Sequence, residues 1–133
     1  MVQETREVRL ERALKELHGA VQGIKAAVVV NNDGLLVSAY PPGDDENPHH
    51  NPTSSPQVAA MSATLIGLAE RTLGRLQQGE LERLLMEGED GVMVVYPAGR
   101  ASLAVLCEKD ARLAYILGAT RKASSEVSQI LGY

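Results

Sequence analysis

The sequence predicts an α+β fold in which helices cover both faces of a β-sheet. Segments with helical periodicity alternate with segments rich in β-branched residues, in the order helix, hairpin, helix, three short strands, helix. The β-segments are almost continuously apolar, whereas a sheet with one face in water would alternate apolar and polar residues. The chain has 133 residues, which suits one domain with a core of its own. We therefore predict a three-layer α/β/α domain spanning residues 1–133.

The first third of the chain predicts a helix followed by a β-hairpin. Leucines recur at spacings of three and four over Thr5–Val21, and Thr5 itself suits the N-cap. The apolar run Ile24–Val30 then predicts a strand that is covered on both faces. Asn32-Asp33-Gly34 tolerates positive φ angles, so the chain can reverse there and return as a second strand over Leu35–Tyr40.

The segment Pro41–Pro56 differs in composition from the rest of the chain. It contains five of the six prolines and no aliphatic residue, so it cannot bury enough apolar area to offset the entropy of ordering it. We predict a mobile loop at residues 41–56 within the single domain. Its adjacent His49 and His50 have acidic neighbours, but a solvated loop is favoured over a metal site, and we expect no metal.

A second, longer helix is predicted from Pro56 to about Gln78, with Ser55 as its N-cap. Its apolar arc is wider than one packing partner requires, so we expect two partners. The main apolar stripe, at spacings of three and four, comprises Val58, Met61, Leu65, Leu68, Thr72 and Leu76.

The segment Glu80–Gly88 is ambiguous, because propensity favours a helix while its length and flanking glycines also allow a strand. Strands are predicted at Gly91–Pro97 and Ala101–Cys107, with a reversal at Ala98–Arg100. Asp110 is the expected N-cap of the last helix. The inner side of that helix is expected to comprise Leu113, Ile116, Leu117, Thr120, Ala123, Val127 and Ile130.

Composition argues against several classes of function. The net charge is −4, which lacks the basic footprint of a nucleic-acid binder, and the absence of Phe and Trp removes the usual base-stacking platforms. One cysteine excludes an internal disulfide framework, and no apolar run approaches the ~20 residues that cross a bilayer. The polar start of the chain has no signal-peptide pattern. We expect a cytoplasmic protein with no nucleic-acid partner and no direct membrane insertion.

No motif demands an enzyme. The chain has neither a phosphate-binding P-loop nor a Gly-x-Ser-x-Gly elbow, and Cys107 is predicted to be a small core residue because no histidine signature accompanies it. We expect no catalytic residue and no cofactor. The arginines are interpreted as exposed charges and not as catalytic groups: Arg71, Arg75, Arg83 and Arg100.

Three long strings carry a resemblance to a known family. They are LKELHGAVQGIKAAVVVNNDGLLVSA (Leu14–Ala39), AAMSATLIGLAERTLGRL (Ala59–Leu76) and GELERLLMEGEDGVMVVYPAGRASLAVLCEKDARLAYI (Gly79–Ile116). In these strings the chain resembles the Roadblock/dynein light chain family, including its bacterial MglB-type members, which regulate Ras-like small GTPases.

The resemblance implies a specific, profilin-like architecture. It implies a five-stranded antiparallel sheet of order 2-1-5-4-3, with one long helix on one face and two helices on the other, and a third strand at Glu80–Glu87. It also implies a dimer, homomeric or heteromeric, in which third strands pair edge to edge and central helices pack together. The interface residues predicted on this basis are Met61, Leu65, Leu68, Leu81, Leu84 and Met86.

The function implied is that of a non-enzymatic, dimeric regulatory or scaffold protein that binds and modulates a Ras-like small GTPase. The alternative is a small-ligand or signal-sensing domain of profilin-like architecture. That alternative requires a pocket between sheet and helix.

Overall fold

A five-stranded antiparallel sheet organises the fold. The computed structural model describes residues 4–42 and 56–132. The strand order is β2-β1-β5-β4-β3, which confirms the predicted topology. Along the chain the elements are α1 (Arg6–Ala20), β1 (Ile24–Asn31), β2 (Leu36–Tyr40), α2 (Pro56–Arg75), β3 (Leu84–Glu87), β4 (Gly91–Ala98), β5 (Ala101–Glu108) and α3 (Leu113–Leu131).

Helices cover both faces of the sheet, as the apolar strands predict. In β1 the side chains of Ala27 and Val29 join the core under α1 and α3, whereas Val28 and Val30 join the core under α2. Successive residues of a strand point to opposite faces of the sheet. Because helices cover both faces, all four side chains are fully buried. The core is thus divided by the sheet into a larger part, shared with α1 and α3, and a smaller part beneath α2.

Helix α1 has the predicted cap. The Val8 amide donates a hydrogen bond of 3.2 Å to the Thr5 hydroxyl, which confirms Thr5 as N-cap. The helix is followed by Gly23, whose φ of +104° is accessible mainly to glycine. A Cβ at Gly23 would also lie 2.7 Å from the Cβ of Ala111, so both conformation and space require glycine there.

The first hairpin turns through a side-chain hydrogen-bond network. The Oδ1 of Asn31 accepts hydrogen bonds from the amides of Asp33 (2.9 Å) and Leu35 (3.0 Å). Gly34 has a φ of +81°, as the predicted turn requires. Because Asn31 occupies the amide of Leu35, β2 begins one residue later than predicted, at Leu36.

Helix α2 ends three residues before the predicted Gln78. Gln77 takes a left-handed φ of +56°, the Gln77 amide donates to the Gly74 carbonyl (3.1 Å), and the Gln78 amide donates to the Leu73 carbonyl (2.9 Å). These two bonds form a Schellman motif, which terminates the helix. The predicted N-cap, Ser55, and most of the predicted loop 41–56 lie outside the described residues.

Strand β3 is shorter than the Glu80–Glu87 strand that the resemblance implies. Only the four residues Leu84–Glu87 pair with β4, and Leu84 lies opposite Val95. Continuing this register would set Glu82 opposite Pro97, which has no amide hydrogen to donate. The segment is nevertheless a strand and not a helix, which resolves its ambiguity in favour of the resemblance.

The predicted N-cap of the last helix, Asp110, is wrong. Helix α3 begins at Leu113, and its N-cap Arg112 makes no side-chain cap hydrogen bond. The intervening residues form a turn in which the Ala111 amide donates to the Glu108 carbonyl (3.1 Å). The contact of Ala111 with Gly23 accompanies this turn, so tertiary packing and not local capping determines where α3 starts.

Helix α3 packs on the sheet through the predicted side chains Ile116, Ala123 and Val127. Leu131 is buried more deeply than the predicted Ile130. Across the interface the Tyr96 hydroxyl donates a 3.2 Å hydrogen bond to the Leu117 carbonyl. No helix within the described ranges is long and apolar enough to cross a membrane.

Candidate functional site: the outer face of helix α2 and the edge strand β3

Helix α2 carries a row of large apolar side chains on its outer face. Within the helix only Ala59, Ser62 and Ile66 are buried. Met61 is 62% exposed, Leu68 54% and the following Leu76 61%. With the half-buried Leu65, these residues repeat at helical spacing and form one line, which we call the α2 stripe. Contiguous apolar surface of this kind is typical of a site of protein–protein contact.

Strand β3 lies beside the same face. No described residue pairs with its outer edge, because β3 is the last strand of the sheet. Leu84 and Met86 lie opposite Val95 and Met93, which places them on the α2 side, half-buried. A bare strand edge offers backbone donors and acceptors to another chain.

All six residues predicted from the resemblance lie on the α2 side of the sheet. Met61 and Leu68 are exposed in the α2 stripe, and the other four are half-buried. Leu81 and Leu84 pack against the small core beneath α2. The fold therefore brings the six residues to one side of the molecule, and whether a second chain covers them stays a prediction.

The opposite edge of the sheet has apolar exposure that the sequence reasoning missed. Leu35 is 62% exposed, and Leu36 and Val37 are 38% and 37% exposed. The signal was present as three consecutive apolar residues, Leu35–Val37, which span the end of the turn and the start of β2. The sequence predicts helices over both faces of this strand, whereas β2 is an edge strand that is only partly covered.

Two clefts bear on the ligand-sensing alternative. A cleft of about 250 Å³ opens between α2 and the sheet, where β1 ends and β4 turns into β5. This volume lies below the roughly 300–1,000 Å³ of typical small-molecule sites. A more open cleft of about 530 Å³ lies outside the sheet–helix sandwich, beside Gly23, Glu108 and Arg112. At its rim the Arg112 guanidinium lies 5.8 Å from the ring centroid of Tyr115.

The smaller cleft contains a residue that sequence reasoning also missed. Ser102 lines it, is only 5% exposed, and stands in the otherwise apolar segment Ala101–Cys107. That single polar residue within an apolar strand was the available signal. We call this site the Ser102 cleft.

Among the residues that the structure describes, the groups with displaced pKa values do not lie together at one site. The Arg12 side chain donates a hydrogen bond to Glu4, which lowers the pKa of Glu4 and raises that of Arg12, and both groups are exposed at the start of α1. Burial raises the pKa of Cys107 to about 11, so its thiol keeps its proton. This confirms Cys107 as a core residue.

The histidines and arginines are the remaining candidate site residues. His18, in the last turn of α1, is half-buried, and its ring packs edge-on against Tyr40 with 5.2 Å between the ring centroids. His49 and His50 lie outside the described residues; within the described residues no cluster of three metal-ligating side chains occurs. The four arginines are exposed as predicted: Arg71, Arg75, Arg83 and Arg100.

An antiparallel sheet of order 2-1-5-4-3, with the long helix α2 on one face and helices α1 and α3 on the other, defines a profilin-like domain. The exposed α2 stripe gives this domain a surface suited to protein contact. Residues 10–107 match the family model described as the Roadblock/LC7 domain. The chain therefore belongs to the Roadblock/LC7 family, whose members are generally non-enzymatic regulatory domains.

Sequence relatives match this chain over nearly its full length. The uncharacterized protein MJ0310 of Methanocaldococcus jannaschii is 31% identical over 118 residues, covering 89% of this chain and 96% of that protein.

Solved structures show the same fold. A Roadblock/LC7 domain from Streptomyces avermitilis superposes with a TM-score of 0.79 at 22% identity, covering 92% of this chain and 98% of that one. An MglB structure with a tetrameric arrangement gives 0.81 at 16% identity, covering 98% and 93%. Profilin IB of Acanthamoeba castellanii gives 0.62 at 10% identity, covering 93% and 99%, which supports the profilin-like description.

Proposed function

We propose that the chain is a non-enzymatic, cytoplasmic regulatory protein that forms a dimer and binds and modulates a Ras-like small GTPase. The observation that carries the proposal is the exposed α2 stripe beside the bare edge of β3. A lone copy leaves both features in water, where apolar surface is costly and an open edge invites aggregation.

A second copy of the chain would cover both features at once. Antiparallel pairing of Leu84–Glu87 with its twofold mate would extend the sheet, because a twofold axis can place the free edge of β3 in one copy against the same edge in the other. The two α2 stripes would then meet across the axis, and Met61 and Leu68 would lose their exposure. The tetrameric arrangement of an MglB structure supports self-association of this fold.

The dimer would present a composite surface to a GTPase. Such a protein modulates its partner by binding one nucleotide state more tightly, since a ligand shifts an equilibrium only by its differential affinity for the two states. None of the exposed arginines is assigned a catalytic role toward GTP.

The test is a binding measurement against the Ras-like small GTPases of the same genome. Each GTPase is immobilised and loaded with GDP or with a non-hydrolysable GTP analogue, and the affinity of the chain is measured by biolayer interferometry. We expect saturable binding to one GTPase with at least tenfold preference for one nucleotide state. Equal affinity for both states would contradict modulation, and absence of binding to every GTPase would contradict the partner class.

A matched pair of variants makes the test specific. Leu68→Glu changes the α2 stripe, whereas Leu35→Glu makes the same change at an equally apolar, exposed position on the opposite edge of the sheet. We expect the first variant to lose GTPase binding, because it disrupts the dimer that forms the composite surface, and the second to retain it. The reverse result would assign the binding surface to β2.

A further inference from the structure

We propose that the Ser102 cleft receives the guanidinium group of an arginine side chain from a protein partner. The inference rests on the proposed function only in that a protein supplies the side chain. The cleft combines the Ser102 hydroxyl, room for one side chain between apolar walls, and a carboxylate.

The first observation is the hydroxyl of Ser102, a residue that is almost entirely buried. Ser102 lies on the α2 side of β5, because it is two residues from Ala104, which belongs to the core beneath α2. It is 5% exposed, and its hydroxyl forms no side-chain hydrogen bond within the described ranges. Among the described residues, Thr120 Oγ1 is the one fully enclosed side-chain oxygen without a partner, so the Ser102 hydroxyl is open to the cleft and can accept a hydrogen bond from a group that enters it.

The space suits one long side chain. The cleft measures about 250 Å³, less than a typical small-molecule site needs. Gly67 opens it on the helix side, since a Cβ built there meets no atom within 4 Å. Ile66 and Pro97 supply apolar walls along which an alkyl chain can lie.

The charge favours a cationic donor. Glu70 lines the cleft, and no lysine, arginine or histidine of the described residues does. Arg71 and Arg100 are neighbours in sequence of lining residues but do not line the cleft themselves. The Oδ1 of Asn31 is already occupied by the amides of Asp33 and Leu35, so the wall at the hairpin is fixed. The charged acceptor in the lining is the Glu70 carboxylate, and the Ser102 hydroxyl and the Asn32 side-chain amide are neutral acceptors beside it.

Guanidinium matches these acceptors better than ammonium does. It carries five N–H donors in one plane and can donate to two separated oxygens at once, whereas ammonium is a compact and strongly hydrated point charge. Its weak hydration also lowers the cost of entering a cleft with apolar walls.

The test is an NMR titration of the full chain with Nα-acetyl-L-arginine amide, which resembles an arginine within a protein. We expect saturable shifts at the amides of Gly67, Gly99 and Ser102. The neutral isostere Nα-acetyl-L-citrulline amide should bind at least fivefold more weakly. Equal responses to the two probes, or shifts that do not saturate, would overturn the proposal.

Free L-arginine distinguishes the source of the group. Its α-ammonium and α-carboxylate are uncompensated in the cleft, so we expect it to bind no tighter than the blocked probe. Binding more than tenfold tighter would assign the cleft to a free amino acid and overturn the assignment to a protein side chain.

Variants complete the test. Gly67→Leu should fill the cleft and abolish the shifts, while Gly74→Leu, the same change elsewhere in α2 where a Cβ also meets no atom within 4 Å, should leave them intact. Glu70→Gln, at an exposed position where unfolding is not expected, should weaken binding about two- to fivefold. Unchanged affinity in both Gly67→Leu and Glu70→Gln would overturn the proposal.

These titrations need neither a dimer nor a GTPase, so their failure is distinguishable from failure of the proposed function.

Discussion

At the scale of single residues, Thr120 stands out in helix α3. It is fully buried, and its hydroxyl has no hydrogen-bond partner within the described part of the chain. Thr120→Val keeps the branched shape and removes the desolvated hydroxyl. We expect it to raise the free energy of unfolding by about 1 kcal/mol. Urea denaturation monitored by circular dichroism measures the change.

The control for this prediction is Thr72→Val. Thr72 is also helical but exposed, and its hydroxyl donates to the Leu68 carbonyl at 2.8 Å. A change within about 0.5 kcal/mol is expected there, as is usual for surface substitutions. A loss of stability in Thr120→Val would show that the hydroxyl has a partner in solution.

Cys107 provides a second prediction at this scale. Burial raises the pKa of its thiol to about 11, so at pH 8 the folded protein should not react with a thiol reagent such as DTNB, and the protein unfolded in guanidinium chloride should react fully. Rapid reaction of the folded chain at pH 8 would contradict its burial.

The same shift predicts a pH dependence of stability. The pKa of the Cys107 thiol in the folded chain lies above its ordinary value of 9.0, so the folded state binds more protons than the unfolded state between pH 9 and about 11. The contribution of the neutral thiol to stability is therefore complete below pH 9 and is lost as the pH rises toward 11. Cys107→Val should lack this component of the alkaline loss, as measured by urea denaturation at a series of pH values.

At the scale of elements, α2 and β3 are the parts that the single chain covers least. Met61→Glu with Leu68→Glu would place two carboxylates in the proposed dimer interface, where burying unpaired charge is costly. We expect the double variant to fold and to elute as a monomer of 14.3 kDa in size-exclusion chromatography with light scattering.

The matched control is Leu35→Glu, because Leu35 has the same 62% exposure as Met61 but lies beyond the opposite edge of the sheet. That variant should keep twice the chain mass. Loss of the dimer in Leu35→Glu and its retention in the double variant would move the interface to β2.

Elements were predictable where their signals are local. The leucine spacing and the Thr5 cap located α1, and the apolar run of β1 predicted burial on both faces. The strand order followed from the family resemblance, because periodicity does not specify which strands are neighbours. The start of α3 was mispredicted because the turn before it packs against Gly23, nearly ninety residues earlier in the chain.

The candidate sites also differ in whether local sequence signals predict them or tertiary contacts create them. The α2 stripe was visible as an apolar arc that was too wide for one partner, since helical spacing alone places Met61, Leu65 and Leu68 in line. The Ser102 cleft was not visible, because it combines the end of β1, the middle of α2 and the β4–β5 turn. A single serine in an apolar strand indicates a cleft only once the positions of those three elements are known.

At the scale of the whole molecule, the proposed dimer couples stability to concentration. If the α2 stripe and the β3 edge are covered only in the dimer, unfolding releases two chains, and mass action makes the thermal midpoint rise with protein concentration. Each tenfold increase in protein concentration adds about 1.4 kcal/mol to the free energy of unfolding of the dimer, which corresponds to a rise of roughly 3 °C in the thermal midpoint. Differential scanning calorimetry over a hundredfold range measures this slope. The variant with Met61→Glu and Leu68→Glu should show a lower midpoint that does not depend on concentration. A constant midpoint for the unaltered chain would mean that one copy is stable with its apolar face in water, and a dimer would then be unnecessary for folding.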